Sequence, residues 1–424
     1  MDNSPVNKLR SLARRIFKVF AVLAMSGVLG AAVLLGSLWL EHRTEITLPT
    51  PTGAFAVGRA LYDWTDDRTL DALAPGPATK RELLVWIWYP VTAGQSDAKA
   101  EDYAPAYGRA TARPASGLLI FSLLSPVFEL LTRDLSKVHG HCLSSVDVSL
   151  EQRSYPVVIM RAGGSLEVWH YSTLAEDLAS HGYVVVGLDA PYRTGLVVFP
   201  DGRVIARAPE NNPELLGGEE LTRLANKLLA AWTGDMAFVL DRLEQLNTSD
   251  PSGKFTGRLD MTRVGVFGHS FGGAQAAQFC SRDSRCKAGI DVDGSVHGSV
   301  IEAGIHKPFM FLLSGHGDFS SDAEVRQIQA DIQSVYDRLP ADRRLRVVIR
   351  GANHFTFSDD GALLKSHLLR GVLRLVGKLG IDGRRQLAVT SYCVDTFFDA
   401  YVKRASVSRV MISSSQYPEI EVLE

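Results

Sequence analysis

The stretch "RLDMTRVGVFGHSFGGAQAAQFC", Arg258 to Cys280, decides how the chain is read. Its centre is G-x-S-x-G, as Gly268, Ser270 and Gly272. Five residues alone say little in a chain with 37 glycines among 424 residues. The flanks say more. "RVGVFG" is a short, continuous apolar run, as a buried strand would be, and "GGAQAAQF" opens a helix of small residues. A serine at such a strand-to-helix turn is a nucleophile elbow. The glycines permit a strained turn and a close helix, and the helix N-terminus favours developing negative charge. The pattern predicts Ser270 as the nucleophile and the N–H of Phe271 as one oxyanion donor.

Working outward, the chain alternates β-branched runs with helical stretches from about residue 80. Strands are expected at "ELLVWIWYP" (82–90), "YPVVIMR" (155–161), "YVVVGLD" (183–189), "KAGIDV", "FMFLLS" and "LRVVIR". Helices are expected over 166–182, 219–246, 272–282, 322–338 and 361–379. This alternation predicts an α/β fold with a mostly parallel central sheet and helices on both faces. Two segments interrupt it. Residues 91–154 include the apolar "SGLLIFSLLSPVFELL", read as a helical cap or lid, or as core, over 116–139. Residues 192–218 carry "VVFPDGRVI", a hairpin signal.

A serine nucleophile needs a base within hydrogen-bond reach. His354 follows the last strand in "GANHFTF", after a glycine and before the last helix expected on the sheet. No other histidine of the 11 has that setting. For the acid, Asp293 and Asp318 both fit the order Ser, Asp, His just past a strand, and spacing does not choose between them. Asp291 shares a face with Asp293 but sits deeper in its strand. The second oxyanion donor is expected from the loop after "YPVVIMR", Ala162 to Ser165. This chemistry needs no metal and no organic cofactor.

The N-terminus is distinct. Val19 to Leu40 holds no charged residue and follows Lys8, Arg10, Arg14, Arg15 and Lys18. As a helix it would be about 33 Å long, enough for a bilayer core. The basic flank predicts residues 1–18 on the cytoplasmic side, a signal anchor over 19–40 and the remainder outside, with a cleaved secretory form as the other reading. The catalytic domain is expected over 50–424, with a C-terminal helix and tail over 385–424. A net charge of −2 gives no electrostatic case for nucleic acid. Cys280 and Cys286, in "FCSRDSRCKAG", are either a small disulfide loop or two buried thiols. The four cysteines lack zinc spacing.

Together "GHSFGGA", "DVDGS", "YPVVIMRAGGS…LAEDLASHGYVVVGLDAPYR" and "GANHFTFSD" resemble the plasma-type (isoform II) platelet-activating-factor acetylhydrolases and their bacterial relatives, over roughly residues 50–380. The resemblance implies an α/β-hydrolase fold and cofactor-free hydrolysis of carboxylic esters, with short or oxidised acyl chains on phospholipids in the best-known members. It also favours Asp293 as the acid and maps the second oxyanion donor to Gly164. This chain departs from the family in the loop Arg161–Ser165, where the family has S-H-G-x-G, and at Ser295, where the family has tryptophan. Those departures bear on the substrate. The rival readings are a general carboxylesterase, polyester or dienelactone-type hydrolase, and a noncatalytic binding protein on the same scaffold.

Overall fold

The computed structural model describes residues 5–92, 94, 98–105, 107, 134–315, 322–364, 367–375, 380–404, 410 and 412–423. Twelve strands make one sheet: β1 (Ile46–Thr47), β2 (Ala56–Leu70), β3 (Lys80–Val91), β4 (Ala100–Asp102), β5 (Val138–Leu143), β6 (Tyr155–Arg161), β7 (Val184–Asp189), β10 (Leu259–His269), β11 (Cys286–Val292), β12 (Phe309–Ser314), β13 (Arg344–Ile349) and β14 (Ile420–Leu423). The remaining two, β8 (Leu196–Val198) and β9 (Val204–Ala206), pair as the expected hairpin.

The order is β1-β5-β2-β3-β7-β6-β10-β11-β12-β13-β14, with β4 against β5. From β7 to β13 every pairing is parallel. Antiparallel pairing enters at β3 and at β14. Continuous apolar runs form the inner strands because both faces are covered. Val157 and Ile159 pack into one core, Val158 and Met160 into the other. The architecture is that of an α/β-hydrolase.

The helices fall into two layers. On one face lie α2 (Ser172–Ser180) and α9 (Gly383–Phe398), through Leu174, Leu178, Leu387 and Phe398. On the other lie α3 (Gly218–Thr248), α4 (Phe271–Arg282) and α6 (Asp322–Arg338), through Trp232, Met236, Ala277 and Val335. The rest are short or peripheral: α5 (Val300–Ala303), α7 (Asp360–Leu363) and α8 (His367–Leu375).

Three expectations change. The helix expected over 361–379 appears as the separate α7 and α8, and Leu375 is fully in solvent contact at 88% exposure. The helix that covers the sheet is α9, whose Phe397 and Phe398 reach the core beside Phe267 and Val347. Its start is fixed by Asp382, whose side chain accepts from the Arg384 N–H. Helix 166–182 begins late, with a 3₁₀ turn at Val168–Tyr171 before α2. The long antiparallel strand β2 carried no sequence signal, because its outer half, Asp63 to Leu70, is charged and largely solvent-facing. Of the segment read as a lid, 116–133 lies outside the described residues, and 134–139 form a 3₁₀ turn and the start of β5.

At the N-terminus, α1 (Pro5–Arg43) includes a 32-residue span, Leu12–Arg43, that holds an 18-residue window of mean hydropathy 2.3, none of it buried in the fold. It is long and apolar enough to cross a membrane. A disulfide joins Cys280 at the end of α4 to Cys286 at the start of β11.

Candidate active site

Strand order reverses direction at β6 and β10. The chain leaves β6 toward β7 on one side and leaves β10 toward β11 on the other. In open α/β sheets the crevice past such strand ends is where ligands bind. Register makes this concrete, because Gly268 pairs with Arg161. Ser270 and the loop Ala162–Ser165 therefore leave the sheet side by side.

The elbow geometry follows from packing. Ser270 has φ +54° and ψ −124°, immediately before α4. A Cβ at Gly268 would lie 2.2 Å from the Gly272 carbonyl oxygen, and one at Gly272 would lie 2.5 Å from the Arg161 carbonyl oxygen. Only glycine fits either place. The Ser270 N–H donates to Val292 O at 2.9 Å, which ties the strained residue to β11.

Past β13, His354 begins a 3₁₀ turn capped by Asn353, whose side chain accepts from the Phe355 N–H. The imidazole bridges two elements. Its Nε2 is 3.1 Å from Ser270 Oγ, and its Nδ1 is 2.8 Å from Asp293 Oδ2. Asp293, one residue past β11, has φ +54°. Its Oδ1 accepts from the Ser314 N–H at 2.7 Å and from the Ser314 hydroxyl at 2.8 Å. Burial alone would raise the Asp293 carboxyl. The hydrogen bond and charge of His354 and the Ser314 N–H outweigh it and hold the group below its ordinary value. Asp293 is thus a charged, fully partnered orienter for an imidazole that faces a serine.

Of the other candidate acids, only Asp291 lies among the described residues. Asp318 lies outside the described residues. Asp291 is buried, accepts from the Gly294 N–H at 2.8 Å and is pushed up to about 8, by burial first. It makes no bond to His354. A Cβ at Gly273 would fall 1.9 Å from its Oδ1, so Asp291 packs directly under the elbow.

At the oxyanion side, Phe271 is the first residue of α4, and a helix has no internal acceptor for that N–H. In the facing loop, the Gly163 N–H is already used, donating to the Tyr171 hydroxyl at 3.1 Å. Gly164, with φ +53°, has open space where a Cβ would be. The sequence departure at Arg161 looks different in three dimensions. The guanidinium is buried, with Nε donating to Gln275 at 2.8 Å, Nη1 donating to Leu188 O and its Cζ 3.9 Å from the centre of the Trp232 ring. Burial lowers it to about 10. Arg161 is therefore a packing residue, and the expectation that it bears on substrate choice is corrected.

Two residues escaped sequence reading. His269, just before Ser270, is buried, and its Nδ1 is 2.8 Å from the Tyr171 hydroxyl. The same hydroxyl accepts from the Gly163 N–H, so Tyr171 links the facing loop to His269. The His269 ring lies 4.6 Å from that of His354. Burial, then the charge of His354, drives His269 down to about 3, so it stays neutral beside the His354 imidazole. The "HS" step in "GHSFGG" was the only signal for it; Tyr171 had none.

The two halves of the site are bolted together. The Asp359 carboxylate accepts from the Ser172 and Thr173 N–H groups at the start of α2, at 2.9 and 3.0 Å, and from the Tyr103 hydroxyl at 2.8 Å. His170 lies 3.4 Å from Glu167 and 3.6 Å from Asp360. A cavity of about 290 Å³ near Phe355, Asp360, Arg370 and Ile381 opens beside the His354 turn, but Ser270, Asp293 and His354 do not line it.

Comparison with known proteins finds relatives among esterases. Residues 228–403 match the family model described as platelet-activating factor acetylhydrolase, isoform II. A protein from Arthroderma benhamiae named "Probable 1-alkyl-2-acetylglycerophosphocholine esterase" is 25% identical, over 94% of this chain and 100% of its own length. The platelet-activating factor acetylhydrolases of Cavia porcellus and Bos taurus are each 27% identical, over 53% and 48% of this chain. The chain spans about half the length of those two mammalian relatives. Among solved structures, a ferulic acid esterase from Streptomyces cinnamoneus superimposes with a TM-score of 0.69, at 24% identity over 90% of this chain and 100% of the esterase. At that identity the likeness speaks for the fold.

Proposed function

We propose that this chain, which belongs to the platelet-activating factor acetylhydrolase isoform II family, is a serine carboxylic-ester hydrolase whose nucleophile, base and acid are Ser270, His354 and Asp293. The observation that carries the assignment is the continuous relay from Ser270 Oγ through both nitrogens of His354 to Asp293, at 3.1 and 2.8 Å.

The mechanism follows from the atoms. His354 Nε2 takes the proton as Ser270 Oγ attacks the ester carbonyl. Asp293 holds the imidazole and stabilises the cation that forms. The N–H groups of Phe271 and Gly164 receive the oxyanion; one such donor is worth about 3 kcal/mol in the transition state. The imidazolium then returns the proton to the leaving alcohol. Water, activated by the same Nε2, cleaves the acyl-enzyme and restores Ser270.

The substrate class proposed is a lipid ester with a short acyl chain, of the acetylglycerophosphocholine kind named for the relatives. The N-terminal helix supports placing the enzyme at a membrane, anchored by residues 19–40 with the hydrolase domain outside the cytoplasm. A disulfide between Cys280 and Cys286 suits that compartment.

Labelling with a fluorophosphonate probe tests the assignment. The full-length protein should label at Ser270, and Ser270→Ala should not. Folded wild-type protein that takes no label would sink the hydrolase reading. A panel of p-nitrophenyl esters against short-acyl phospholipids then tests the substrate class, with a clear kcat/KM preference for the phospholipids expected. A preference for simple esters would favour a general carboxylesterase.

A further inference from the structure

At the opposite edge of the sheet from Ser270, where α2 ends and the chain turns into β7, three ionisable side chains converge. They are Asp177 and His181, one helical turn apart, and Asp395 from α9. One ligand atom from each lies within 4.8 Å of the other two. We propose that Asp177, His181 and Asp395 form a binding site for a divalent transition-metal ion of the zinc class, which clamps α2 to α9.

Charge balance is the first argument. Asp177 is only 4% exposed, and its Oδ2 has no hydrogen-bond partner among the described residues; nor does Oδ1 of Asp395, 9% exposed. Two buried carboxylates facing each other without a cation are costly. Lys403 is near, but its ammonium is engaged by Asp399 at 2.8 Å and by the His181 carbonyl at 2.6 Å. Something positive belongs between the two carboxylates.

The spacing has room for an ion among the three side chains. His181 Nδ1 lies 3.3 Å from Asp395 Oδ2 and 3.9 Å from Asp177 Oδ2. Two ligand atoms on a tetrahedral ion with bonds of about 2.1 Å would be about 3.4 Å apart. Asp177 is also pre-oriented. Its Oδ1 accepts from the Thr52 N–H at 2.7 Å and the Thr52 hydroxyl at 3.0 Å, which turns Oδ2 inward. The same hydroxyl is 3.5 Å from His181 Nε2. An N–H there would point to Thr52 and leave Nδ1 as the lone-pair nitrogen, in exchange for its 3.0 Å contact with Asp177 O. Two carboxylate oxygens and one imidazole suit Zn²⁺ better than Ca²⁺ or Mg²⁺. The His181 side chain, 27% exposed, gives an entry path and room for a water ligand.

Such a clamp would bear on the active site from behind. The N–H groups that begin α2 hold Asp359, and Gln386 on α9 accepts from the Asn353 N–H next to His354.

The test uses the full-length protein in detergent, stripped with EDTA, reloaded with ZnCl2 and desalted. Wild-type protein should retain one zinc per chain by elemental analysis, and its Tm should rise with added Zn²⁺. Asp395→Asn and the partly exposed His181→Gln should each weaken Zn²⁺ binding by about tenfold to a hundredfold, with Ser270 still labelling in the EDTA-treated protein as a check of folding. Wild-type protein that retains no zinc and shows no Tm response would overturn the proposal in favour of a carboxyl pair sharing a proton. Equal zinc retention by both folded variants would overturn it too, by placing the ion elsewhere.

Discussion

Two histidine–carboxylate clusters sit at opposite edges of one sheet, and they are built differently. At the C-terminal edge, Asp293 has partners on both oxygens and His354 meets Ser270 Oγ and Asp293 through its two nitrogens. At the N-terminal edge, Asp177 and Asp395 each keep an oxygen without a hydrogen-bond partner among the described residues, and His181 touches both only at 3.3 to 3.9 Å. The residue types are nearly the same. A complete network fixes one proton path, so its chemistry is pre-organised. An incomplete one has a place for something else. The contrast warns against reading a site from a residue list alone.

The largest expected effect breaks the complete cluster. Ser270→Ala or His354→Ala should lower kcat by roughly 10⁵- to 10⁶-fold, because the members of such a triad act as a unit. Asp293→Asn should cost about 10⁴-fold by leaving the imidazole in the wrong tautomer. Asp318→Asn should cost far less in the same steady-state assay. A reversed ranking of the two aspartates would move the acid out of the cluster described above. Asp291→Asn sharpens the point: it should lower Tm through the elbow packing more than it lowers kcat, since its carboxyl meets Gly273 and Gly294 and not His354.

The difference between the clusters also explains what was legible in the sequence. The turn at Ser270 and the loop Ala162–Ser165 could be located because a strand, a turn and a helix are local. Register between β6 and β10 then brings the two turns together. His354 was readable from its place after β13. Asp293 could not be separated from Asp318 on spacing, because both follow strands in the sequence, and the bond from Asp293 to His354 is a contact that spacing does not reveal. Arg161 was misjudged for the same kind of reason. Alternation along a strand gives the face of a residue only when the end of the strand is known, and Arg161 turns into the core beside Trp232. The remote cluster had no signal at all. Asp177 and His181 are one helical turn apart, a spacing common on any helix, and Asp395 reaches them only because α9, rather than the expected 361–379 helix, packs on that face.

The smallest expected effect concerns a third histidine, His170, which is intermediate between the two extremes. It stacks on Trp169 with ring centroids 3.8 Å apart and pairs at long range with Glu167 and Asp360, joining the loop after β6 to the segment after His354. Burial alone would lower it, but the two carboxylates outweigh that and raise it to about 9 from 6.5. A raised histidine stabilises the fold fully below its unfolded value near 6.5, and that contribution is lost as pH rises through about 9. His170→Gln cannot titrate. The Tm difference between wild type and this variant should therefore be widest near pH 6, about 2 kcal/mol or less in stability once the long pairing distances are allowed for, and should close by pH 10. A difference that stays constant from pH 6 to 10 would mean that His170 joins the two loops through its ring stacking and not through its charge.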